Sequence, residues 1–208
     1  SVAISNKGIT IASTELSDGY SHAENLHKFI RETLEQASLR FEDLDAVAIS
    51  KGPGSYTGLR IGVSAAKGLA FSLDIPLIAI DTLTTLAMQV EEKKGMIVPM
   101  LDARRMEAYT AVVNTSYEKV REIQAEILSE SSFQDYLKTD KVYFIGNAVE
   151  KTEGLITHEN AVFVKDKLPS AIQMSSVAYD MYKKNDIVDV AYFEPYYLKD
   201  FIVTPSKK

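Results

Sequence analysis

The stretch with the most chemical content is Lys51-Gly52-Pro53-Gly54-Ser55-Tyr56-Thr57-Gly58-Leu59-Arg60-Ile61-Gly62. Glycine reaches backbone conformations closed to other residues and lets a ligand or another backbone come close. The start of a helix presents unpaired N–H groups that can hold an anion. Gly52, Gly54, Ser55, Thr57, Gly58 and Arg60 could therefore cradle a phosphate. The spacing departs from both common phosphate motifs. A P-loop ends in Gly-Lys-Ser/Thr, whereas here Gly58 is followed by Leu59-Arg60; a dinucleotide fingerprint is spaced G-x-G-x-x-G, whereas these glycines run G-x-G-x-x-x-G. A tight strand-to-helix turn capped by Ser55 or Thr57 accounts for the same residues, and spacing alone favours it.

The other titratable side chains form no catalytic set. His22 and His27 are separated by roughly 140° around a helix, so they do not share a face as an i, i+4 metal pair does. With His158 they read as surface or capping-region residues. Asp102, Arg104 and Arg105 could clamp a substrate, but turn chemistry with solvated charge is the simpler reading. Asp81, just before a helix, reads as a capping-region acid. Glu91-Glu92-Lys93-Lys94 reads as a solvated helix end. No metal site and no catalytic residue is assigned.

The elements that must position these residues alternate. Ser1–Ile4 and Ile9–Thr14 flank a turn containing Asn6 and Gly8 and predict a hairpin. Ser21 and Glu24 resemble a capping box, after which Leu26, Phe29, Ile30, Leu34 and Ala37 recur at helical spacing. Leu44–Ser50 predicts a strand, Thr57–Leu73 a helix, Leu77–Ile80 a strand and Thr82–Glu92 a helix closing at Lys93-Lys94-Gly95. Strands then follow at Met96–Leu101, Met106–Asn114 and Tyr117–Leu128, with a short helix over Ser129–Lys138. Strands at Val142–Ile145 and Val162–Val164 and a helix over Ser170–Lys184 complete the pattern. Strands first, then alternating helices and strands, in both halves, predict an α/β protein with mixed sheets and two related lobes joined near Pro99.

Within the helix Thr57–Leu73, the residues Gly58, Gly62, Ala66 and Ala70 fall at successive i+4 positions. Such a row lets a second helix approach closely. Its periodicity is equally compatible with packing inside the subunit and with contact to another chain.

The bulk properties narrow the class. At 208 residues and 46% hydrophobic, the chain can bury the core of one large domain or two small lobes. No apolar run approaches the roughly 20 residues of a bilayer span. Without cysteine there is no disulfide framework and no thiolate metal site. A net charge of -6 argues against a protein that grips nucleic acid through its own phosphate contacts.

The segment Lys51–Gly62 resembles the GPGS[FY]TGLRIG hallmark of the TsaB family, also called YeaZ. Further pieces match in family order along nearly the whole chain: Ser21-His22-Ala23-Glu24-Asn25-Leu26, Ile80-Asp81-Thr82-Leu83, Asp102-Ala103-Arg104-Arg105-Met106-Glu107-Ala108-Tyr109, Gly146-Asn147-Ala148 and Glu194-Pro195-Tyr196-Tyr197-Leu198-Lys199. Family members open with a strand ending in an Asp-Thr-Ser-like turn, so residues preceding Ser1 are expected. The resemblance implies a two-lobed fold of the actin, Hsp70 and sugar-kinase type (ASKHA). One lobe would hold residues 1–100 and 190–208, and a smaller one residues 101–189. It implies a cytoplasmic, non-catalytic relative of TsaD in the synthesis of threonylcarbamoyladenosine in tRNA, with no cofactor of its own. ATP and metal would sit on the partners, which are TsaD and the ATPase TsaE; tRNA would be met only through the complex, and a homodimer could form in isolation. The surface meeting TsaD would comprise His22, Leu26, Phe29 and Ile30 of one helix and Gly58, Leu59, Gly62, Ala66, Leu69 and Ala70 of the next. A stand-alone kinase of the same superfamily and, less favoured, a glycoprotease are the rival readings; no His-x-x-x-His pair supports the latter.

Overall fold

The computed structural model describes residues 1–16 and 22–199, with side chains of the first helix described from Asn25 onward. The Ser21–Glu24 capping box and the side chain of His22 lie outside that description. Strands β1 (Val2–Asn6) and β2 (Ile9–Thr14) form an antiparallel hairpin. Its turn places Lys7 and Gly8 at φ 49° and 82°, both left-handed, which matches the twist of a two-residue hairpin. Helix α1 (His22–Gln36) packs on this hairpin, and Thr33 donates from its hydroxyl to Thr14 Oγ1 at 2.8 Å. Strand β3 (Val47–Gly52) leads into helix α2 (Tyr56–Leu73), and β4 (Leu77–Asp81) returns parallel to β3.

Helix α3 (Thr82–Ala87) is shorter than its sequence pattern predicts, because Val90 turns inward to join the core while Glu91–Lys94 stay in solvent. A five-stranded mixed sheet follows, in the order β7-β6-β5-β8-β9. Its strands are β5 (Met96–Asp102), β6 (Glu107–Asn114), β7 (Lys119–Ile127), β8 (Val142–Ile145) and β9 (Ala161–Val164). Helices α4 (Gln134–Leu137) and α5 (Val149–Glu153) are short, and α6 (Met174–Lys183) is the last helix among the described residues.

Alternation along the central strands builds a core on each face of this sheet. Val98, Met100, Ala108 and Val112 point to one side, against Phe133, Leu137, Phe144 and Val149. Ile97, Leu101, Ala111 and Val113 point to the other, against Leu83, Leu86 and Ala87 of α3. Helix α3 also touches β3 and β4, so it is the apolar brace between the lobes.

The expected lobe boundary needs correction in two places. Strand β5, expected in the first lobe up to residue 100, is the middle strand of the second sheet, because its ladder partners are β6 and β8. Helix α6, expected in the smaller lobe, packs against β1, β2 and β4 of the first.

Gly146 leaves β8 with φ 122°, a conformation for glycine, and an added Cβ would land on the Met100 carbonyl oxygen and on Leu86 Cδ2. Gly146→Ala combines backbone strain with overpacking at the junction of β5, β8 and α3. We expect it to destabilise the protein by about 3 kcal/mol or more, measured as a fall in the urea midpoint at unchanged m-value.

Candidate functional site

Helix α2 begins where sequence reasoning placed it, within one residue. Ser55 is its N-cap and accepts from the Gly58 N–H at 3.3 Å, while the Leu59 N–H donates to the Ser55 carbonyl at 2.8 Å. Of the donors that a helix start leaves unpaired, that of Gly58 is thus engaged locally.

The loop before the helix is filled by a later segment of the same chain. Residues 188–199 run antiparallel to α2 and then cross the loop as a strap. The Tyr196 N–H donates to the Lys51 carbonyl at 2.8 Å. The Tyr196 carbonyl oxygen lies 2.8 Å from where a Cβ on Gly52 would be, so the strap can sit there only because Gly52, at φ 115°, has no side chain. Lys67 donates to the carbonyls of Ala191 at 3.1 Å and Phe193 at 2.9 Å. The Tyr197 ring packs on Tyr56 with centroids 5.1 Å apart. The Arg60 guanidinium lies 4.5 Å above the Tyr56 ring and its Nε donates to the Tyr197 hydroxyl at 3.3 Å. Lys199 pairs with Glu107 at the start of β6 and so ties the strap to the second lobe.

Beside the strap, a cleft of about 340 Å³ opens between the lobes. Asp81 bridges its walls, bonding Lys51 of the first lobe at 3.1 Å and Lys119 of the second at 3.3 Å; Lys119 also meets Glu122 at 2.8 Å. Asp81 occupies the N-cap position of α3, yet its carboxylate makes no capping bond. The expectation of a capping acid is therefore corrected: two lysines compete for it. Burial works against the charge on Lys119, but the hydrogen bond to Glu122 and the attraction of Asp81 outweigh it and raise its pKa above the ordinary lysine value. Among the described residues, Asp81, Glu122 and Glu194 line the cleft against Lys51 and Lys119, so a phosphate placed there would meet an excess of negative charge from them.

The Asp102–Arg105 segment is turn chemistry, as the simpler reading held. Asp102 accepts from the Arg104 N–H at 3.0 Å, Arg104 and Arg105 have φ of 72° and 50°, and both arginines are exposed. Asn147 of the Gly-Asn-Ala piece accepts from the Asp102 N–H at 2.8 Å, and Lys151 pairs with the Asp102 carboxylate. His158 accepts from the Asn160 N–H in a turn, and His27 is exposed. Among the described residues no three His, Asp or Glu side chains gather in a metal-binding group.

The small-residue row needs the largest correction. Ala66 and Ala70 are 5% and 1% exposed and pack in the chain's own core with Leu77, Val47, Ile49, Val188, Val190 and Phe193. A Cβ on Gly62 would sit 3.3 Å from Ile49 Cδ1, and Leu59 packs on Gly52. From Gly62 to Ala70 the row lets β3 and the strap approach α2 and faces inward, whereas Gly58 is half-buried and a Cβ there would meet only Ser55. Leu69 is half-buried, as are Leu26, Phe29 and Ile30 on α1. The outward stripe of α2, roughly opposite the row at 100° per residue, is Thr57, Arg60, Ser64, Gly68 and Phe71. Phe71 is 82% exposed, and a Cβ on Gly68 would meet nothing within 4 Å. Periodicity did single out α2 but gave no sign of which side turns outward.

Residues 18–193 match the family model described as TsaD: tRNA N6-adenosine threonylcarbamoyltransferase. The Bacillus subtilis (strain 168) tRNA threonylcarbamoyladenosine biosynthesis protein TsaB is 33% identical over 186 residues, covering 86% of this chain and 80% of that protein. The Escherichia coli (strain K12) protein of the same name is 29% identical over 212 residues, covering 96% and 90%. The solved structure of YeaZ from Pseudomonas aeruginosa superposes with a TM-score of 0.72 at 25% identity, covering 85% of this chain and 84% of that one. Fold and matches together define an α/β protein of the two-lobed ASKHA type, with mixed sheets flanked by helices. Within that class, the chain belongs to the TsaB (YeaZ) family.

Two substitutions on α2 separate its faces. Ala66→Arg buries an unpaired charge in the core and should destabilise the protein by several kcal/mol, on the order of 4, read from thermal unfolding. Gly68→Ala fills open space and reduces the freedom of the unfolded chain, so it should stabilise by about 0.5–1 kcal/mol, seen as a higher Tm.

Proposed function

We propose that this chain is a non-catalytic subunit of the machinery that makes N6-threonylcarbamoyladenosine at position 37 of tRNAs reading codons that begin with A. In this reading it binds and activates TsaD, which transfers the threonylcarbamoyl group, and TsaE joins the pair. ATP and metal belong to the partners, tRNA is met through the complex, and the work is done in the cytoplasm. The names of the curated relatives support a place in this biosynthesis. The observation that carries the non-catalytic role is the seating of the Tyr196 backbone on Lys51 and Gly52. In a phosphate-binding loop that space belongs to the ligand; here the chain itself fills it, beside a cleft with an excess of carboxylates.

The surface that best fits TsaD is formed by the half-buried edge Leu26, Phe29 and Ile30 of α1 and the outward stripe Arg60, Ser64, Gly68 and Phe71 of the adjoining α2. Gly68 lets a partner helix come near, and Phe71 supplies apolar area that water now covers. The same surface could pair with a second copy about a two-fold axis when the chain is alone.

Reconstitution tests the reading. With TsaD, TsaE, the adenylate-forming enzyme, tRNA, ATP, threonine and bicarbonate, modified adenosine should form when this chain is added and fall to background without it. Product formed by this chain in the absence of TsaD would overturn the non-catalytic assignment. Calorimetry should find no ATP binding by the chain alone tighter than about 1 µM, or ~8 kcal/mol; tighter binding would favour the kinase reading. Gly68→Arg should leave circular dichroism unchanged and Tm at or above that of the parent while abolishing co-elution with TsaD. Unimpaired co-elution would place the interface elsewhere.

A further inference from the structure

Arg60 combines three properties that are seldom found together. It is exposed, it lies on the outward stripe of α2, and its side chain is fixed at both the guanidinium face and Nε. An exposed arginine ordinarily samples many rotamers, and ordering it on association costs up to roughly 2 kcal/mol of entropy. Here the ordering is done beforehand. Tyr56 supplies the ring beneath the guanidinium, and Tyr197 packs on Tyr56 while its hydroxyl accepts from Nε. Glu194 of the same chain lines the pocket beside Arg60 and attracts the guanidinium without a hydrogen bond to it among the described residues, and the terminal N–H groups suit a planar acceptor such as a carboxylate.

Tyr197 is held in turn. The strap that carries it is bonded to Lys51 one residue earlier, its carbonyls at 191 and 193 are gripped by Lys67, and Lys199 pairs with Glu107 in the second lobe. A chain of contacts therefore runs from the β5–β6 hairpin, through the strap, to a side chain on the proposed partner-facing stripe.

We propose that Tyr197 and Lys199 are positioning residues for association: they hold Arg60 in the conformation in which it meets a carboxylate of the partner subunit, and they make that conformation depend on the second lobe through Glu107. The inference rests on the reading of this chain as a TsaD-binding subunit. It adds residues that need not touch the partner themselves.

A double-mutant cycle with full-length proteins tests it. Tyr197→Phe keeps the ring on Tyr56 and deletes only the acceptor. It should weaken binding to TsaD roughly fivefold, with circular dichroism and Tm unchanged. Arg60→Met should weaken binding at least as much, and the double variant should bind no more weakly than Arg60→Met alone. Lys199→Met should give a smaller loss that likewise vanishes in the Arg60→Met background. In the free protein, hydrogen exchange at residues 58–64 should quicken in Tyr197→Phe and nowhere else. Wild-type affinity in Tyr197→Phe, or losses that add to that of Arg60→Met, would overturn the proposal, because Tyr197 would then act independently of Arg60. Wild-type affinity in Lys199→Met would overturn the link to the second lobe. Failure of the unaltered chain to bind TsaD is a separate result: it would sink the partner reading, and this inference with it.

Discussion

The structure turns on one backbone contact, that of Tyr196 with Lys51 and Gly52. Its hydrogen bond is ordinary at 2.8 Å, but it forms only because position 52 has no side chain. From it follow the course of the strap along α2, the grip of Lys67 on two strap carbonyls, the Tyr56–Tyr197–Arg60 stack and the tie at Glu107. The same glycine that would admit a phosphate admits a carbonyl oxygen. A side chain at position 52 would collide with that oxygen, so the close approach of the strap depends on glycine there.

The lobes are joined in two physically different ways. Helix α3 is the dry connection, with Leu83, Leu86 and Ala87 fully buried against the second sheet while the helix also rests on β3 and β4. The wet connection is Asp81 shared between Lys51 and Lys119, with side chains that keep partial contact with water. Pairs of that kind contribute little stability individually. The apolar brace sets the lobe arrangement, and the ion relay occupies the cleft that this arrangement leaves.

What could be read from the sequence was local. The strand–loop–helix course around Gly52–Gly58 followed from glycine spacing and the Ser55 cap, and the turn at Asp102–Arg105 followed from residue types. The mixed α/β class followed from the order of elements. What could not be read depended on distant partners. An i+4 row states which residues share a face of α2; whether that face turns inward is decided by Ile49, Leu77 and Phe193, far away in sequence. Asp81 looked like a cap because its competitors Lys51 and Lys119 come from two other elements. The lobe boundary was misplaced because β5 finds its ladder partners downstream, and α6 folds back onto strands at the other end of the chain. The Glu194–Lys199 piece was recognised by family likeness, yet nothing local in it announces that it closes the loop.

The strap also bears on the order in which the protein can be completed. Arg60 and Tyr197 are 137 residues apart in the chain, and Glu107 and Lys199 are 92 apart. Contacts of such separation are entropically demanding to close and form late in folding. During synthesis, helix α2 and the glycine loop emerge well before the residues that lock them. An unfinished or truncated polypeptide would therefore present α2 with Arg60 unrestrained and Gly52 uncovered. The surface around Arg60 takes its final form only after residues 196–199 have joined it.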